Sequence, residues 1–301
     1  MTGKRLFVIA IVMMLATHGC AEDITPSQIF EKVRTSYESM ETYKAQGTTA
    51  SDIDTGGMKV KIETSFSILL KKPNMYLISW SQKDELMSGI AQSGAVWSDG
   101  TQPYLYIGGK NAFFKMGSDE LALGAAAGNS GVTMPSFFLS VFKEQFAPFS
   151  RLKDPQIEMT EKVEEEDCYV ITGSSSISKK EAFWISKTSY LVKKYYRSLE
   201  PPEGGYQMPE MRDEQVEEAI KGMGQEVTEE SKQKMREMMK RLKEDALKTG
   251  HIKGSTTELY AEISSPNMTI SMFQFELPEG TVLQDSLYSR DHFIRSYGYQ
   301  F

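Results

Sequence analysis

Residues 183–196, FWISKTSYLVKKYY, form two short apolar runs around a polar turn, and each run carries large apolar groups at adjacent positions. Successive side chains of a strand point to opposite faces of its sheet, so a half-buried strand needs apolar residues only at every second place. Phe183 with Trp184, Tyr190 with Leu191 and Tyr195 with Tyr196 place such groups on both sides. A simple half-buried strand leaves the second apolar face of this stretch unexplained; one face packing on the core or a covering helix and the other lining a cavity would account for both.

The rest of the chain supports a long antiparallel sheet interrupted by helices. In MKVKIETSFSILL, Met58, Val60, Ile62, Phe66, Ile68 and Leu70 alternate with Lys59, Lys61, Glu63 and Ser65, which predicts a strand with one apolar face. Turn signals at Thr55-Gly56-Gly57, Pro73-Asn74, Ser98-Asp99-Gly100 and Gly108-Gly109-Lys110-Asn111 divide residues 45–117 into an antiparallel meander. Before it, Thr25 and Pro26 stand at cap and first-turn positions, and Ile29, Val33, Tyr37 and Met40 form one helical stripe.

Between 118 and 147 the chain turns small and flexible, then gives Phe137, Phe138, Val141, Phe142 and Phe146 at helical spacing. That stripe is a core helix, or a lid over something apolar. Strands resume with QIEMTEKV and EDCYVITG, in which Cys168 is expected as a small buried hydrophobe. Residues 201–250 are charged and rich in methionine. They predict a helical insertion capped by Thr228 and stopped by Gly250, with Met235, Met238, Met239, Leu242 and Leu247 on one side. TTELYAEISS and NMTISMFQFELPEG return to strand.

The amino terminus has Lys4 and Arg5, then LFVIAIVMMLA, then THGCAED. A charged start, an apolar run too short to span a bilayer and small residues before a polar break predict an export signal over residues 1–21. Two outcomes stay open at its end: cleavage after Ala21, or lipidation of Cys20. The second resembles a bacterial lipoprotein signal, although Thr17 and His18 depart from its pattern.

Several function classes are disfavoured by what the chain holds. With a formal net charge of -7 and a pI of about 5.3, it has no basic balance for nucleic acid. Beyond the signal, His251 and His292 are the only histidines, and no nucleophile elbow, zinc-helix motif, paired C-x-x-C or phosphate loop occurs. The acidic run VEEED at 163–167 lacks the spaced ligands of a calcium loop and fits a solvated face. Neither catalysis, a metal nor a cofactor is expected.

Taken with the order of elements, EAFWISKTSYLVKKYYRS and the closing FQFELPEGTV resemble the LolA-like superfamily of outer-membrane lipoprotein carriers and sorting proteins. There a W-I-D-x-x-T-x-x-P strand precedes a basic strand, and the last strands carry F-x-F-x-x-P-x-G. Trp184, Ile185 and Thr188 match the first, with Ser186 in place of Asp and Val192 near the usual Pro. Phe273, Phe275, Pro278 and Gly280 match the second.

The resemblance covers residues 24–200 and 255–285, leaving the 201–250 insertion outside it. It implies an α+β fold: a half-open antiparallel β-barrel with helices over its concave face, one domain over 22–301. It also implies a periplasmic or cell-envelope protein that takes lipid or lipoprotein acyl chains into an apolar cavity lined by Phe66, Ile68, Tyr76, Trp80, Trp97, Phe138, Phe142, Trp184 and Met272. The alternative is a periplasmic interaction protein, like envelope-stress regulators with the same barrel, meeting an envelope protein through Met208 to Leu247.

Overall fold

The structure is a computed structural model, and it describes residues 24–54, 59–84, 92–126, 133–139, 148–200, 226–248 and 253–284, together with Asp213, Val216, Glu217 and Ile220. The expected signal, Cys20 and Phe142 lie outside the described residues, as do both candidate histidines and parts of the insertion.

Helix α1 (Pro26–Ser39) starts where its cap predicts: the Thr25 hydroxyl accepts the Gln28 N–H at 3.3 Å, and the Gln28 side chain accepts the Thr25 N–H at 2.8 Å. This reciprocal pairing satisfies two backbone donors that a helix start would otherwise orphan. Ile29, Val33 and Tyr37 form its buried stripe, and the helix ends one residue short of Met40.

The meander follows: β1 (Thr42–Asp54), β2 (Lys59–Lys71), β3 (Met75–Asp84), β4 (Gln92–Asp99), β5 (Pro103–Ile107) and β6 (Ala112–Lys115), each paired antiparallel with the next. Helices α2 (Asp119–Ala126) and α3 (Thr133–Phe138) come next. Then come β7 (Lys153–Val163), β8 (Glu166–Ser174), β9 (Glu181–Ser186) and β10 (Val192–Ser198), helix α4 (Glu229–Lys248), β11 (Lys253–Ser264) and β12 (Val282–Gln284). Thr228 caps α4 as expected, its hydroxyl accepting the Ser231 N–H at 3.1 Å. Met235 is buried.

All twelve strands join one sheet in the order β12-β6-β5-β4-β3-β2-β1-β11-β10-β9-β8-β7, antiparallel except for the β12–β6 pair, and not closed edge to edge. Ten of them, with α1, α2 and α3, contribute to one buried cluster. Helix α1 touches β1 through Tyr37 and Tyr43, the start of β10 through Val192, and edge strand β7, while α2 touches β4 and β5. The helices therefore lie along one side of the open sheet, and that side is its inner face.

The closing motif departs from expectation. Residues 265–281 do not continue as strand: Ile270–Phe273 is a 3-10 turn and pairing resumes only at Val282. Phe273 is fully buried, and Phe275 packs on Trp97 and Tyr106 at 5.6 and 5.2 Å. The segment crosses the outer face as a strap held by side chains, and Pro266 and Pro278 lack the N–H a ladder requires.

Candidate functional site

Register places the inner-face side chains in rows across the sheet, because directly opposed residues of antiparallel strands share a face. One row runs Ala45, Ile68, Ile78, Val96, Leu105 over β1 to β5. A neighbouring row runs Tyr260, Gly47, Phe66, Trp80, Gly94 over β11 to β4. The two glycines have a plain cause. A Cβ at Gly47 would lie 2.3 Å from the Phe66 ring, and one at Gly94 would lie 2.3 Å from the Trp80 ring. Both rings lie over the next strand because nothing stands there.

The roof of this floor is thin. Phe137 of α3 stacks on Tyr37 at 5.6 Å and meets Phe149 at 4.9 Å, while Phe138 packs on Tyr43 at 6.0 Å. Two buried tyrosines beneath it differ in their bonding. The Tyr37 hydroxyl donates to Met134 Sδ and accepts the Val192 N–H, each at 3.2 Å. The Tyr43 hydroxyl, equally buried, has no partner. Burial raises the pKa of both above the usual tyrosine range. Tyr76, whose hydroxyl donates to Asp119 Oδ1 at 2.9 Å, is raised by burial and then by that carboxylate.

The expected cavity residues divide between the two faces. Phe66, Ile68, Tyr76, Trp80 and Phe138 come together in the inner cluster. Trp97 and Trp184 sit on the outer face instead, a correction to the expectation of one shared wall. Their neighbours along the chain, Val96 and Ile185, take the inner positions, and alternation sends the tryptophans outward. Trp97 stacks on Tyr104 at 5.3 Å under the strap. Met272 lies in the 3-10 turn at 40% exposure, in neither cluster.

This explains the two greasy faces of FWISKTSYLVKKYY. Phe183, Ile185, Val192 and Tyr195 join the inner cluster, while Trp184 and Ala182 form a small outer cluster with Cys168, Val170 and Val163, against which Tyr196 packs. Lys194 Nζ lies 4.0 Å from the centre of the Trp184 ring, whose Nε1 donates to Glu161 Oε2 at 2.8 Å. Around Trp184 the second face is thus sealed by its own side chains and an overlying cation.

Sequence reasoning missed the tyrosines: Tyr37 was read only as part of a helical stripe, and Tyr43 and Tyr260 carried no signal beyond composition. On the outer face, a cleft of about 590 Å³ lies between β7 and β10. Four of its charged side chains pair, Lys179 with Glu200 at 3.4 Å and Lys180 with Glu158 at 3.2 Å. Among the described residues no group of three acidic, histidine or cysteine side chains is arranged to hold a metal ion, and no helix is long and apolar enough to cross a membrane.

No protein-family model matches the chain, and no curated protein matches it. Solved structures do align with it over most of its length. An uncharacterized conserved protein from Thermus thermophilus aligns at 9% identity over 86% of this chain and 98% of its own, with a TM-score of 0.41. LprF from Mycobacterium bovis aligns at 9% identity over 80% and 93%, also with a TM-score of 0.41. A LolA superfamily protein from Nitrosomonas europaea aligns at 10% identity over 84% and 99%, with a TM-score of 0.29. This chain is similar to them in the course of its fold.

Proposed function

We propose that this is an exported binding protein of the periplasm or cell envelope, not an enzyme, that holds the hydrocarbon tail of a lipid or lipoprotein against the inner face of a half-open barrel. One barrel domain over 22–301 with an insertion at about 201–250 fits this reading, with or without an anchor at Cys20. The observation that carries it is the contrast between floor and roof. The floor is a continuous apolar surface locked by strand hydrogen bonds, whereas α3 is six residues long and meets it through Phe137, Phe138 and a few further side chains. Aromatic pairs contribute about 0.5–1.5 kcal/mol each beyond their buried area, and each methylene taken from water returns about 0.8 kcal/mol. Displacing α3 also exposes the buried Met134 and Phe138, so a long acyl chain is needed to offset it. Native mass spectrometry of protein purified from the envelope is expected to show a bound lipid. Ligand-free protein that also fails to displace a fluorescent fatty-acid probe overturns the reading.

A second reading is favoured by one feature of the topology. Strands β10 and β11 are direct neighbours, and the Leu199 N–H donates to the Gly254 carbonyl oxygen at 2.9 Å, so the sheet needs only a short turn there. Residues 199–252 stand in its place, which suits a surface for an envelope protein. Deleting 205–250 separates the two. A partner binder loses its partner, while a lipid binder keeps its lipid.

A further inference from the structure

One row outward from Tyr260, Gly47, Phe66 and Trp80, the inner face changes character. Register sets Tyr195, Glu258, Thr49, Thr64 and Gln82 in line across β10, β11, β1, β2 and β3. Thr49 and Thr64 are 3% and 2% exposed and Gln82 6%. Glu181 on β9 joins the row at 3% exposure, its Oε2 accepting the Tyr195 hydroxyl at 2.7 Å. The Tyr260 hydroxyl donates to Glu258 Oε2. Arg197 stands opposite Glu181 in the β9–β10 pair, so Glu258, Glu181 and Arg197 together carry one net negative charge.

Buried polar groups are ordinarily bonded, and an unmet one costs about 1–3 kcal/mol. The Thr49 hydroxyl, flanked in register by Glu258 and Thr64, is buried and has no partner. A row that supplies carboxylate and hydroxyl acceptors and holds a donor-acceptor hydroxyl in reserve is arranged for a polar group that arrives from outside.

We propose that this row is a headgroup subsite, selecting amphiphiles whose polar end donates hydrogen bonds and carries no net negative charge, with a primary ammonium as the type case. The inference rests on the reading of the inner face as a hydrocarbon site. The tail lies over Ile68, Ile78 and Phe66, and the head stops at Thr49 and Glu258. An anionic head would bring a second negative charge into a poorly hydrated place, whereas an ammonium finds acceptors for its three N–H groups.

The test is calorimetric titration of the full chain with dodecylammonium, dodecanol and dodecanoate at pH 7, below their micellar concentrations. Dodecylammonium is expected to bind about tenfold tighter than dodecanoate, or about 1.4 kcal/mol, with dodecanol between. Glu258→Gln is expected to remove most of that preference, with far-UV circular dichroism and the thermal melt certifying that the variant is folded. Equal affinities in the unaltered chain, or a preference that survives both Glu258→Gln and Glu181→Gln, overturn the subsite and leave the hydrocarbon reading standing. Failure of all three amphiphiles to bind overturns both.

Discussion

The hydroxyl of Tyr37 in α1 accepts the backbone N–H of Val192 at 3.2 Å, joining the first helix to a strand 155 residues further along the chain. Six ångströms away, the ring of Tyr43 carries a hydroxyl just as deeply buried and bonded to nothing. Removing the two hydroxyls should therefore have opposite effects. Tyr37→Phe strands a buried donor and is expected to cost about 1–3 kcal/mol. Tyr43→Phe discards an unmet group and is expected to leave stability unchanged or raise it by about 1 kcal/mol. Urea denaturation of both variants checks the pair, and equal losses would contradict the hydrogen-bond assignment.

Phe138 closes the roof over Tyr43, with Lys72 Nζ 5.0 Å from the centre of its ring. Phe138→Ala is expected to lower stability by about 3–5 kcal/mol, as for other buried phenylalanines. If α3 gates the inner face, the same variant admits a fluorescent fatty-acid probe several-fold faster in stopped-flow mixing. A destabilised variant with unchanged entry kinetics would make Phe138 a core residue only.

Gly47 has the Leu259 carbonyl oxygen 2.2 Å from where its Cβ would be, besides the Phe66 ring. Gly47→Ala is expected to cost about 1–3 kcal/mol through overpacking. Adding Phe66→Leu should recover only part of that loss, because the backbone oxygen cannot withdraw as a ring can. Thermal melts of the single and double variants decide it.

Burial pushes the Cys168 thiol up to about 11 from its ordinary 9.0, and the side chain is fully enclosed. Its peptide is expected to stay unlabelled by a thiol reagent at pH 8 in the native protein and to label fully in denaturant, read by mass spectrometry. The linkage has a definite sign. Below pH 9 the thiol is neutral in both states, and between 9 and about 11 only the unfolded thiol ionises, so stability falls as pH rises through that window.

Much of the fold was legible because it rests on local chemistry. The Thr25 cap, the alternation of β2, the meander turns at Pro73-Asn74, Ser98-Asp99-Gly100 and Gly108-Gly109-Lys110-Asn111 and the Thr228 start of α4 are decided within a few residues, and each stands where its signal is; the Thr55-Gly56-Gly57 turn lies outside the described residues. The site was legible only in half. Periodicity tells that Trp184 and Ile185 point to opposite sides, but nothing within the strand says which side faces the helices; that depends on β8 and β10 and on where the helices pack. The closing motif failed for a related reason. Phe273 and Phe275 alternate as in a strand, yet Phe275 is held by Trp97 and Tyr106, residues far back in the chain whose rings make a place for it without any ladder.

The polar row was invisible for the same cause. Thr49, Thr64, Gln82 and Glu258 are unremarkable one by one, and only cross-strand register puts them side by side.

Strand β1 lies between β2 and β11, with Asp54 opposite Lys253. When the chain is delivered from its amino terminus, one edge of β1 stays without its mate until some two hundred further residues have been supplied. Contacts that distant in sequence form slowly, since the intervening loop must be closed before they contribute. Completion of the sheet is thereby deferred until β11 has been supplied, and the open edge of β1 must stay unpaired through that interval.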